Sequence, residues 1–159
     1  MHWLLDDEAQ SLLGFTQRVI ALRNKHSLFR RRTFFRGRAV RDSDEKDVLW
    51  LNPDGREMTD EEWTQGFARC LGAHLSGRGL TERDEFGKPV EDDDLLLLLN
   101  AHDDVIPFRL PGNGGGQPWH VRVDTDTESG APAQEEYASE SEYPLRGRSL
   151  VLLCRPRPR

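Results

Sequence analysis

Five consecutive leucines, Leu95 to Leu99, follow four consecutive acids, Glu91 to Asp94, and run into the polar turn Asn100-Ala101-His102-Asp103-Asp104. Successive side chains on a strand point to opposite faces, so a segment apolar at every position needs cover on both. The run predicts a central strand inside a layered β structure. Shorter signals surround it. Val48-Leu49-Trp50-Leu51 reads as a strand closed by the turn Asn52-Pro53-Asp54-Gly55. Thr59 with Glu62 three residues on has capping-box spacing, so a short helical turn carries Trp63. Phe67 to Leu75 alternates, with Phe67, Leu71, Ala73 and Leu75 available to one face. Val105 to Leu110 reads as a strand joined to the leucine run by a hairpin, with Pro107 placing it at an edge or bulge. Trp119 to Asp124 alternates cleanly, and Ser149 to Cys154 is a last strand before the polar tail Arg155 to Arg159. Residues 111–118 and 126–142 read as flexible loops, the first rich in glycine, the second holding six acids and few apolar residues. The fold expected is mainly β, an antiparallel β-sandwich preceded by one long α-helix.

That helix spans Glu8 to about His26. Leu12, Leu13, Phe15, Val19, Ile20 and Leu22 fall within an arc of about 180° at 100° per residue. Asp6, Asp7 and Glu8 at its start and Arg23, Lys25 and His26 at its end suit the macrodipole. So wide an arc predicts a helix wedged between two bodies, of which this sequence shows one. Composition agrees: apolar residues are 36% of the 159, against about 45–50% in ordinary globular chains. Part of the chain is expected to be disordered or covered by a partner.

The net charge of −6 speaks against nucleic acid or anionic membrane as a partner. No apolar run approaches the roughly 20 residues of a membrane span, and the first residues lack a signal-peptide pattern. A soluble, cytoplasmic chain is expected. The acid runs, including Glu91 to Asp94, read as solvated surface, since a catalytic carboxylate needs a site that shifts its pKa. The five histidines show no metal-ligand spacing, and Cys70 and Cys154 complete no metal quartet. Gly112 to Gly116 lacks the Lys-Ser/Thr of a phosphate loop. No catalytic, cofactor-binding or metal-binding residue is therefore assigned. Arg30 to Arg38, with Phe34 and Phe35 interleaved, could bind single-stranded nucleic acid. The competing reading puts Phe29, Phe34 and Phe35 in a core while the arginines pair with surplus acids, and the charge favours it. Trp50, Trp63 and Trp119 could stack on sugars, but core filling is the default for Trp50 and Trp119 on strands. Trp63 is left as the candidate glucan contact.

Three collinear blocks carry a resemblance. Leu13-Gly14-Phe15-Thr16-Gln17-Arg18-Val19-Ile20-Ala21-Leu22-Arg23, then His26 and Phe29-Arg30-Arg31-Arg32-Thr33-Phe34-Phe35, is similar to the end of an α-amylase-family barrel. Asp47-Val48-Leu49-Trp50-Leu51-Asn52-Pro53-Asp54-Gly55-Arg56-Glu57-Met58-Thr59, then Trp63, resembles a block of bacterial glycogen debranching enzymes of the isoamylase type. Leu95 to His102, then Phe108, Leu110, Pro111 and Trp119, resembles a block of their C-terminal domain. The resemblance implies that residues 1–35 are the last helix of a (β/α)8 barrel and its exit, and 36–159 a C-terminal β-sandwich. It implies an enzyme that hydrolyses α-1,6 branch linkages of glycogen or limit dextrin with two carboxylates. The barrel strands that would bear those carboxylates have no counterpart here. The chain is thus expected to be a truncated or split debranching enzyme, inactive alone and without a cofactor. Leu12, Phe15, Val19 and Leu22 would meet the barrel. The alternative from another class is a free-standing glucan-binding module.

Overall fold

The structure is a computed structural model that describes residues 6–39, 45–65, 69–112, 115–131, 134 and 136–157. Helix α1 spans Asp7–Lys25. Asp6 caps it, its Oδ1 accepting the Ala9 N–H at 2.8 Å, with acids in the first turn and Arg23 and Lys25 in the last. A 3-10 turn, Ser27–Arg30, follows. The remaining elements are β1 Val48–Leu51, α2 Asp60–Thr64, β2 Cys70–Leu75, β3 Asp94–Asn100, β4 Ile106–Arg109, β5 Trp119–Asp124, β6 Glu136–Tyr137, β7 Glu142–Leu145 and β8 Ser149–Arg155. Among the described residues, no helix is long and apolar enough to cross a membrane.

A six-stranded sheet in the order β1-β2-β3-β8-β5-β6 packs on a two-stranded sheet, β4-β7, and every pairing is antiparallel. Strand β3 lies between β2 and β8, as its unbroken leucines require. Leu96 and Leu98 join Trp119, Val121, Val151 and Leu153 against Phe108 and Leu145 of the small sheet. Leu95 and Leu97 point the other way, with Val123, Leu152 and Cys154, and meet Phe15, Leu22 and Phe29 from α1 and the turn after it. The leucine run thus fills two cores, one on each face of a single sheet.

The structure corrects several expectations. Asn100 to Asp104 is not a hairpin turn, because β4 pairs with β7 in the other sheet. Asn100 secures the crossing, its Nδ2 donating to the carbonyls of Asp104, Leu145 and Arg146 at 2.9, 3.1 and 3.0 Å. Pro107 sits at an edge, opposite Pro144. Alternation in β5 breaks at Arg122, where the register against β8 slips, so Val121 enters one core and Val123 the other. Phe67, expected at the start of β2, lies outside the described residues. The segment 126–142 is not bare of structure. It contains β6, Tyr137 packs on the first core, and Gly130 lies so close to Phe15 that a Cβ there would fall 2.5 Å from the ring.

Candidate functional site

The sharp turn after β1 sets up the first surface feature. Gly55, at φ 74°, passes against β4, where a Cβ would meet the Arg109 carbonyl oxygen at 2.6 Å. The chain then returns along β1, the Met58 N–H donating to the Trp50 carbonyl at 2.8 Å. The expected capping box is present. The Thr59 Oγ1 accepts the Glu62 N–H at 3.3 Å, and Glu62 Oε2 accepts the Thr59 N–H at 2.8 Å. Asn52 donates to the other oxygen of Glu62 at 2.8 Å. The Asn52 bond first, then the Thr59 N–H, hold the Glu62 carboxyl below its ordinary value. This frame lands Trp63 edge-to-face on Trp50, ring centroids 5.7 Å apart. Trp63 is 49% exposed and Trp50 41%. Trp119 fills the core as expected, whereas Trp50 does not, because β1 is an edge strand and α1 lies over other strands.

The second feature is α1 itself, which has no buried residue. Phe15 and Leu22 face the sheet, so they do not belong to the outward surface expected of them. Leu12, Leu13, Val19 and Ile20 are exposed. Between α1 and the sheet runs an apolar groove lined by Phe15, Val19, Leu22, Phe29, Leu97 and Leu152. The basic stretch behind the helix divides. Phe29 and Phe35 are half-buried, with the Arg31 guanidinium 4.0 Å above the Phe35 ring and 3.5 Å from Asp47, while Phe34 is exposed.

Acid/base chemistry was the third possibility. The buried acids among the described residues are Asp47, Asp94 and Asp124, and each is held by donors of the fold. Asp47 accepts the N–H groups of Arg36 and Gly37 at 2.9 and 2.8 Å. Asp124 accepts the Tyr143 hydroxyl at 2.8 Å. Asp94 accepts the Gly77 N–H at 2.9 Å, Arg155 at 2.9 Å and Arg157 at 2.6 Å, with His74 at 3.9 Å. Burial pushes the Asp94 pKa up, but His74, Arg157 and the Gly77 N–H outweigh it and hold the carboxyl far below the usual range. This corrects two expectations. The run Glu91 to Asp94 is not all solvated, and the tail is not merely polar. Arg155 is buried, its guanidinium 4.4 Å above Trp119, and Arg157 also pairs with Glu45. Their partners are about 60 to 110 residues away in sequence, beyond the reach of local pattern.

Comparison with known proteins places these features in context. The family described as isoamylase, C-terminal, matches residues 47–154. The proteins named glycogen operon protein GlgX homolog from Mycobacterium tuberculosis and Mycobacterium bovis are each 40% identical over 154 residues, covering 96% of this chain and 21% of theirs. The glycogen debranching enzyme of Dickeya chrysanthemi is 38% identical over 111 residues, 70% of this chain and 13% of its own. Among solved structures, type I pullulanase of Bacillus subtilis in complex with maltose superposes with a TM-score of 0.49 at 16% identity, over 94% of this chain and 17% of that one. The chain spans about a fifth of the length of the mycobacterial relatives it matches.

Proposed function

The chain belongs to the isoamylase C-terminal family, and from that premise we propose that it is a non-catalytic β-domain stabilising the catalytic part of a glycogen debranching enzyme. In that enzyme the catalytic part hydrolyses α-1,6 branch linkages of glycogen or limit dextrin. The observation that carries the reading is the state of the buried acids. A retaining glycosidase needs two carboxyl groups roughly 5–5.5 Å apart beside a bound sugar, free to exchange a proton with it. Asp47, Asp94 and Asp124 instead close hydrogen bonds within the fold. The exposed apolar residues of α1 support a large neighbour: Leu12, Leu13, Val19 and Ile20 are the contacts offered to the catalytic barrel, with Phe15 and Leu22 serving the sheet beneath.

The Trp50–Trp63 pair favours a second role alongside the first, a glucan contact through Trp63. Pyranose faces stack on flat aromatic rings, and the capping box holds this one in place. Both roles are tested on the purified chain with a branched limit dextrin. No reducing ends should be released, and retardation in a glycogen-containing gel should be lost on Trp63→Ala. Turnover that disappears when one acid is changed would overturn the non-catalytic reading. Retardation unchanged by Trp63→Ala would overturn the glucan contact alone.

A further inference from the structure

One buried cluster takes no part in that function. His26 ends α1 and is 1% exposed. Its Nδ1 lies 2.9 Å from Asp92 Oδ1, while its Nε2 is buried with no hydrogen-bond partner. A carboxylate only accepts, so Nδ1 carries the proton and Nε2 presents a lone pair. An imidazole backed by a carboxylate in this way is the arrangement that fixes the tautomer of metal-bound histidines. A nitrogen of His26, an oxygen of Asp93 and the Sγ of Cys154 lie within 4.8 Å of one another. The Cys154 Sγ is 3.5 Å from Asp93 Oδ2. In a tetrahedral site with Zn–S about 2.3 Å and Zn–O about 2.0–2.2 Å, sulfur and oxygen ligands stand roughly 3.5 Å apart. Asp93 Oδ1 faces the Arg157 N–H at 3.4 Å, which leaves Oδ2 for a metal.

We propose that His26, Asp93 and Cys154 form a site for a zinc-type divalent cation that ties the end of α1 to β3 and β8, with water in the fourth position. The three residues come from distant parts of the chain, so no ligand spacing in the sequence could reveal them. Binding replaces the thiol S–H bond by a metal–sulfur bond and releases one proton to solvent. The thiolate and the Asp93 carboxylate then balance the charge of the ion. Burial first, then the Asp93 carboxylate, push the Cys154 thiol up to about 12, and the Arg122 cation partly offsets them, so the metal must displace the thiol proton.

The test uses the full chain, with Co²⁺ as a spectroscopic probe and Zn²⁺ as competitor. Co²⁺ should give a thiolate charge-transfer band in the near ultraviolet that saturates at one equivalent and is displaced by Zn²⁺. Cys154→Ser should abolish the band and Cys70→Ser should leave it. Asp92→Asn, which changes the group that orients His26 and also accepts the Leu28 and Asp93 N–H groups, should weaken binding by roughly tenfold or more. Asp93→Asn, on the less buried ligand, gives an equivalent loss if Cys154→Ser does not fold. Absence of a thiolate band, or a band lost with Cys70→Ser and kept in Cys154→Ser, overturns the site.

Discussion

The Tyr143 hydroxyl donates to a carboxylate inside the protein, and that single contact makes a spectroscopic statement. Burial first, then Asp124, pushes the Tyr143 phenol far above its ordinary value, and the same two causes raise Tyr137. These are the two tyrosines of the chain. A group whose pKa is raised in the folded state adds stability that is whole below its unfolded value, about 10, and drains away as pH rises beyond it. The Tyr143 phenolate should therefore not form near pH 10 in the folded protein, but appear together with unfolding at higher pH. Titration of Tyr143 at the ordinary value with circular dichroism unchanged would show that Asp124 and burial do not act as described. Asp94 makes a second prediction at this scale. Asp94→Ala leaves Arg155 and Arg157 without their buried partner and should cost about 3–5 kcal/mol. Lys46→Ala, at the exposed pair with Glu57, should cost less than about 1 kcal/mol. Urea denaturation of both variants checks the contrast, and equal losses would contradict it.

Elements were legible from sequence wherever a local rule governs them. The apolar arc and terminal charges marked α1, the box Thr59–Glu62 marked α2, and five leucines marked β3 as central. What escaped depended on distant neighbours. Arg122 looks like one more step of an alternating strand, and only the pairing of Val121 and Val123 with successive residues of β8 shows it to be a bulge. Strand β6 has two residues and exists because β5 offers an edge, so no pattern of its own announces it. Core filling is the default for a strand tryptophan such as Trp50, yet Trp50 is exposed, since edge position is a property of the sheet. Unequal cover also sets unequal stability. α1 buries no residue completely, whereas β3 is bonded on both sides and covered on both faces. In hydrogen exchange on the monomer, the amides of Leu12 to Leu22 should open far more readily than those of Leu95 to Leu99. Equal protection would mean that the sheet alone is sufficient company for the helix.

For the molecule as a whole, the modest apolar fraction and the exposed side of α1 have one physical cause in this account. A face built to be covered lacks its cover when the chain stands alone. The family match, the greater length of the relatives and the internally bonded acids support the proposal of a domain that serves chemistry done elsewhere. The direct measurement is made in the Mycobacterium tuberculosis relative, by deleting the stretch this chain matches or by replacing it with this chain. Reducing-end release from limit dextrin is followed after stepwise heating. Deletion should lower the inactivation temperature by many degrees, and the replacement should restore most of the loss. A deleted enzyme that keeps both its turnover and its heat resistance would contradict it.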